Sequence, residues 1–227
     1  MDLISVKVVG DISCAVLKMD LRKLLEECEA PKGRYYNFVC MKKPGRRYNI
    51  PKEKSDLFLK LYAEEALNFK ENDHTSLVFR PIKAGSQPLF IDVDLRLPED
   101  IYPETSLFVQ FAELISCELY NIIKQEFKVL VVRKPANYLK STNPDTYAYG
   151  CHIYLHGIKV PLYTARKIRL AAINLAKEHF SGLKFRNCPE DIIDKRLIER
   201  VNGFCLVGDY KGPKSGGQYL PVFGAVY

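Results

Sequence analysis

The stretch PLFIDVDLRLPED, Pro88–Asp100, constrains the fold more than any other part of this chain. Side chains on a β-strand point alternately to opposite faces. Leu89, Ile91, Val93, Leu95 and Leu97 therefore share one face, and Phe90, Asp92, Asp94 and Arg96 share the other. The first face belongs in a core. The second sets two carboxylates side by side, and they repel each other unless a positive charge intervenes. Arg96 can supply that charge on a merely solvated face. A divalent cation can supply it at a reactive one, and carboxylate oxygens suit Mg²⁺, Mn²⁺ or Ca²⁺ better than zinc.

The elements around this strand predict an α/β architecture. A strand near Ile4–Val9 precedes a helix near Leu21–Cys28 that begins after Asp20, then a strand near Tyr35–Met41 and the turn KKPGRR, Lys42–Arg47. Apolar positions 57, 58, 61, 62 and 66 give a helix over about Lys54–Phe69, and SLVFRPI, Ser76–Ile82, reads as a strand. After the D-x-D strand (89–96) come helix 103–126, strand 128–133, strand 151–156, helix 162–180 and strand 203–208. Leu107, Phe111, Leu114, Ile115, Leu119 and Ile122 line one side of the first of these helices. Such alternation packs helices on a sheet. GDYKGPKSGGQY reads as a mobile loop. The apolar ending LPVFGAVY suits either a docked terminus or a piece of a longer polypeptide.

Composition narrows the class. With 47% hydrophobic and 27% charged residues among 227, the chain is ordinary globular material with enough length for one sizeable core or two lobes. Its net charge of +7, from 34 basic and 27 acidic residues, suits a polyanionic partner. Seven scattered cysteines without a C-x-x-C pair argue against a disulfide framework and a structural zinc site, and predict reduced thiols inside a cell. MDLISVKVVGDISC lacks the basic start and long apolar core of a secretory leader, and no apolar run approaches a membrane span. No membrane association is expected.

Further candidates lie downstream. YAYGCHIYLHGIKV carries His152 and His156. Its glycines and Ile, Tyr and Val content favour a strand, which would hold the two imidazoles roughly 13 Å apart, too far to share a metal. Taken alone, His152 reads as a hydrogen-bonded core histidine. Upstream, LKSTNPD contains Lys140-Ser141-Thr142 without the glycines of a Walker A loop. Lys140 in such a loop suits either a triphosphate cradle or solvent. Asp194 in DIIDKRLIERVNGFCLVGDYK is either a third carboxylate or a cap for the helix near KRLIER. From the residues alone, D-x-D serves polymerases and primases, nucleases and sugar-nucleotide transferases equally.

In order, these pieces are D-x-D on a strand, K-S-T-N, a strand-borne histidine, and a lone Asp before a basic segment ending in V-G. That order resembles the archaeo-eukaryotic primase superfamily, and most closely the N-terminal primase domains of poxvirus-type viral primase-helicases. The likeness covers about residues 88–211. It implies a primase catalytic core with an N-terminal α/β lobe (about 1–87) and an RRM-like palm (about 88–227). It implies template-directed nucleotidyl transfer with two Mg²⁺ or Mn²⁺ ions held by Asp92, Asp94 and Asp194. His152 would meet the incoming nucleoside triphosphate, with Lys140, Arg200 and Lys211 as further phosphate contacts. A single-stranded DNA template would lie in a basic groove bordered by Lys42, Arg46 and Arg47, and by Arg166 and Arg169. Any helicase part would lie beyond Tyr227, and the setting would be the host cytoplasm or nucleus. The chain departs from the family at Gly150-Cys151, where S-x-H is usual, and at Cys205, where a basic residue often precedes the V-G. Two other classes stay open: a metal-dependent sugar-nucleotide transferase, and a non-catalytic RRM-like module, which would normally expose aromatic rings on its sheet.

Overall fold

The structure is a computed structural model that describes residues 20–41, 45–69, 75–80, 85–98, 103–133, 138–139, 146–199, 203–210 and 218–227. The predicted strand near Ile4–Val9 lies outside them. The chain opens with α1 (Leu21–Glu27), whose cap is Asp20: its side chain accepts from the Lys23 N–H at 2.8 Å. Then follow β1 (Phe38–Cys40), β2 (Arg47–Tyr48), α2 (Ser55–Leu67) and β3 (Leu77–Phe79). The second part holds β4 (Gln87–Leu97), α3 (Thr105–Ile123), β5 (Lys128–Arg133), β6 (Tyr138–Leu139), β7 (Tyr147–Val160) and α4 (Leu162–His179). Two single-turn helices, α5 (Pro189–Ile192) and α6 (Lys195–Ile198), precede β8 (Phe204–Cys205) and β9 (Leu220–Val226).

Two antiparallel sheets result. The larger runs β4-β7-β5-β9, with β6 added alongside β7. The smaller runs β2-β1-β3-β8. The fold class is therefore the expected mixed α/β, with one feature the sequence did not suggest: β8 leaves the C-terminal half to complete the N-terminal sheet, pairing Val78 with Cys205 and Phe79 with Phe204.

The alternation in β4 does what its pattern dictates. Leu89, Ile91, Val93, Leu95 and Leu97 are each 2% exposed or less and form one core with Phe108, Phe111, Ile115 and Leu119 of α3 and Ile168, Ala172 and Ala176 of α4. Each large aliphatic side chain buried in this way contributes about 1.5–3 kcal/mol. By length and composition α3 is apolar enough to cross a membrane, which the sequence reading did not expect. Its buried stripe is committed to the sheet. The smaller sheet closes its own core over α1 and α2 through Leu24, Phe38, Phe58, Tyr62 and Leu77.

β7 is longer than the expected strand 151–156. Its pairing with β4 shifts register between Pro88 and Leu89, where residues 156–158 have no partner on β4. Gly157, at φ +98°, supplies the turn of chain this requires, and Pro88 sits where a missing N–H is tolerated. β9, which pairs with β5 along Lys128–Arg133, accounts for the apolar ending: the terminus is docked as an edge strand.

Candidate active site

One face of the larger sheet is covered by α3 and α4. The other carries the polar residues of β4 and turns toward the smaller sheet, where Val132 and Tyr219 pack with Val78 and Cys205. Register assembles the site on that face. Asp92 lies directly opposite His152, Phe90 opposite Tyr154, and Asp94 opposite Gly150. Cross-strand partners share a face and touch. The side chains of Asp92 and Asp94 are 27% and 33% exposed, and that of His152 is 10% exposed.

His152 combines burial with polar contacts. It is buried like a core residue, with its ring stacked on Tyr219 at 4.0 Å between centroids. It also faces the acids: Nε2 stands 3.5 Å from Asp92 Oδ1, and Nδ1 stands 3.4 Å from the Tyr154 hydroxyl. Tyr154 in turn donates to the Cys205 carbonyl at 2.5 Å. Burial pushes the Tyr154 phenol well above its usual range, with the negative potential of Cys205, Asp209 and Asp92 adding to the effect. It therefore stays a donor to that carbonyl, and its oxygen can still accept from the His152 ring. His156 is exposed further along the same strand, outside this group.

Asp194 reaches the site through the backbone. Ile193 forms an isolated antiparallel bridge with Val93, and the Asp194 N–H donates to the Asp92 carbonyl at 3.0 Å. Arg169 holds this segment down from α4 by donating to the carbonyls of Ile193 and Glu190. The Asp194 side chain meanwhile accepts from the Arg196 N–H at 2.7 Å, capping α6. The cap reading of Asp194 is thus observed, and its backbone is tied to the strand that carries Asp92. Further along the same edge of β4, the Asn187 side chain accepts from the Arg96 N–H at 3.0 Å and donates to the Asp94 carbonyl at 2.8 Å. The edge is sealed from Asp92 to Arg96.

As they stand, the three carboxylates point to different partners. Asp94 is ion-paired with Arg96, as a solvated polar face would allow. Among the described residues no group of three or more His, Cys, Asp or Glu side chains is gathered closely enough to hold a metal ion. Oxygen donors for a hard cation are nonetheless present on one partly exposed face, with no cysteine to favour a softer metal.

Lys140, Arg200 and Lys211 lie outside the described residues, as does Lys42. Arg166 forms a bidentate pair with Glu199 at 2.6–2.7 Å, which lowers the pKa of that glutamate. With Arg169 engaged as above, these two α4 cations brace α5 and α6. Sequence reasoning missed Tyr154 and Tyr219. The first had a signal, since it lies two residues beyond His152 on the same strand face. The second had none, because its neighbour in space is about 65 residues away in sequence.

An acid pair on an edge strand of an antiparallel sheet, a histidine opposite it and a third acid tied to that edge are in keeping with an archaeo-eukaryotic primase (AEP) domain. Residues 37–220 match the family model described as the C962R protein N-terminal AEP domain, and the chain belongs to that family. No curated protein matches the chain.

Proposed function

We propose that the chain is a DNA primase/polymerase core that carries out template-directed nucleotidyl transfer in viral DNA replication. The observation that carries this is the hydrogen bond from the Asp194 N–H to the Asp92 carbonyl. It ties the backbone of residue 194 to that of Asp92, about a hundred residues earlier, on the strand whose polar face meets His152. Asp92, Asp94 and Asp194 hold two divalent ions, Mg²⁺ or Mn²⁺. Bound there, such ions lower the pKa of an attacking 3′-hydroxyl and stabilise the pyrophosphate leaving group. His152, kept in place by Tyr219 and Tyr154, binds the charge that builds on the triphosphate. Lys140, Arg200 and Lys211 add phosphate contacts, and the template is single-stranded DNA. A helicase module C-terminal to residue 227 belongs to the same proposal, since the matching family is named for an N-terminal domain.

The test is incubation with a single-stranded template, labelled nucleoside triphosphates and Mg²⁺ or Mn²⁺. Template-dependent product that disappears in EDTA and in Asp92→Asn is expected. Product formed in EDTA, or none under any metal, overturns the assignment. His152→Ala is expected to weaken nucleotide binding roughly tenfold or more, in keeping with loss of a charged contact, whereas His156→Ala leaves it unchanged. Nucleotide titrations of the two variants check this, and equal affinities would return His152 to a purely structural role.

A further inference from the structure

Arg96 lies on the acid-bearing face of β4, and the site described above gives it no task beyond pairing with Asp94. The two arms of its guanidinium are unequally used. Nη2 forms an ion pair with Asp94 Oδ2. Nη1 is buried and has no acceptor among the described residues. At 15% exposure the side chain is well short of a solvated cation. A buried donor left without an acceptor is costly. On a charged head, such a donor suits an oxyanion brought in by a ligand.

The backbone around Arg96 is fixed, so a change of partner falls to its side chain. Its N–H donates to Asn187 Oδ1 at 3.0 Å, and its carbonyl accepts from the Arg186 N–H at 2.7 Å. The Asn187 side chain also donates to the Asp94 carbonyl at 2.8 Å. Asp92, the other acid of this face, meets His152 on β7. Across the sheet Arg96 pairs with Ala148, and Ala148 pairs with Tyr138 of β6. Arg96 thus stands in line with the strand that ends immediately before Lys140 in the sequence.

We propose that Arg96 exchanges partners when substrate binds. It neutralises Asp94 before substrate arrives. It then passes to a phosphate oxygen of the nucleoside triphosphate, and leaves Asp94 to a divalent ion. The choice of these ligands rests on the primase reading above, whereas the unequal arms of the guanidinium do not. A planar guanidinium holds an acceptor on each arm, and phosphate oxygens compete with carboxylates for it. A divalent ion on Asp94 repels a guanidinium beside it. Ion and phosphate thus loosen the same contact from its two ends, and Arg96 makes their binding cooperative.

The experiment measures each ligand alone on the intact chain: Mn²⁺ by loss of its free EPR signal, and inorganic tripolyphosphate by calorimetry in EDTA. Arg96→Gln is expected to bind Mn²⁺ roughly tenfold more tightly than the wild type, because a competing charge is gone. The same variant is expected to bind tripolyphosphate roughly tenfold more weakly. A purely structural role would weaken both. A simple counterion would move Mn²⁺ alone, and a simple phosphate contact tripolyphosphate alone. Each of those three results overturns the exchange, as does a wild type that binds no tripolyphosphate. Asp94→Asn gives a reading that does not depend on how the arginine variant folds. It is expected to bind tripolyphosphate roughly threefold more tightly than the wild type, and an unchanged or weaker affinity also overturns the proposal. A parallel assay for nucleotidyl transfer separates the two claims. Opposite shifts without any product keep the exchange and remove the catalytic assignment. Product without opposite shifts does the reverse.

Discussion

Asp194→Asn is expected to fold normally and to lose nearly all nucleotidyl transfer, by at least about 10³-fold, because members of one catalytic unit do not act additively. The double variant Asp92→Asn/Asp194→Asn should be scarcely less active than the single one. The structure makes this a clean test. The backbone hydrogen bond that ties residue 194 to the Asp92 carbonyl does not involve the side chain. The cap of α6 does, through the Arg196 N–H, but asparagine caps as well as aspartate. The substitution thus removes the carboxylate charge and leaves the local structure, so a melting temperature within about 2 °C of wild type is expected. Steady-state incorporation alongside a melting curve decides the matter. Turnover near that of the wild type would leave Asp194 as a helix cap and remove it from the site.

Gly150→Ser is expected to be damaging, although it restores the family's usual S-x-H. A Cβ on residue 150 would stand 1.9 Å from the Val93 carbonyl oxygen, 3.1 Å from that carbonyl carbon and 3.4 Å from the Asp94 Cα. All three are backbone atoms, so no side chain can swing aside. β4 and β7 must separate at the pair Asp94–Gly150, next to the pair Asp92–His152. Overpacking of this kind costs about 1–3 kcal/mol, which lowers the melting temperature by roughly 3–10 °C in a chain of this size, and it displaces Asp94. Gly150→Ala should show the same loss, because the clash is with Cβ and not with the hydroxyl. Thermal melts and nucleotide titrations of both variants test this. A serine variant that melts like the wild type and binds nucleotide more tightly would show that the hydroxyl is simply missing here.

The parts of the fold that were legible are those where one physical period dominates. The twofold alternation of β4 gave its buried face and its acid pair. The stripe of α3 and the cap at Asp20 were equally plain. β9 was not legible as a strand, because Leu220, Val222 and Val226 are exposed on an edge strand and no polar alternation marks its outer face. β7 read short because Gly157 looks like an end and is a bulge. At the site, Asp92 and Asp94 followed from the strand pattern. His152 and Asp194 each carried two meanings that local sequence cannot separate; the fold shows the buried stack of the one and the helix cap of the other. Arg166 and Arg169 read as groove-lining cations because their partners Glu199, Ile193 and Glu190 lie well along the chain, where sequence spacing gives no hint of contact.

The transfer of β8 to the N-terminal sheet bears on how the chain is made. Neither sheet has its full set of strands until the last part of this region leaves the ribosome: the small one waits for Phe204–Cys205, and the large one for Leu220–Val226. Helix α1, α2 and the β1–β3 pairing can form early, but β3 then waits with one edge unpaired while more than a hundred further residues are added. Unpaired strand edges in nascent chains invite wrong partners. Completion is therefore close to a single late event, in which the two sheets close together and the face bearing Asp92 comes to lie against the small sheet in the same step.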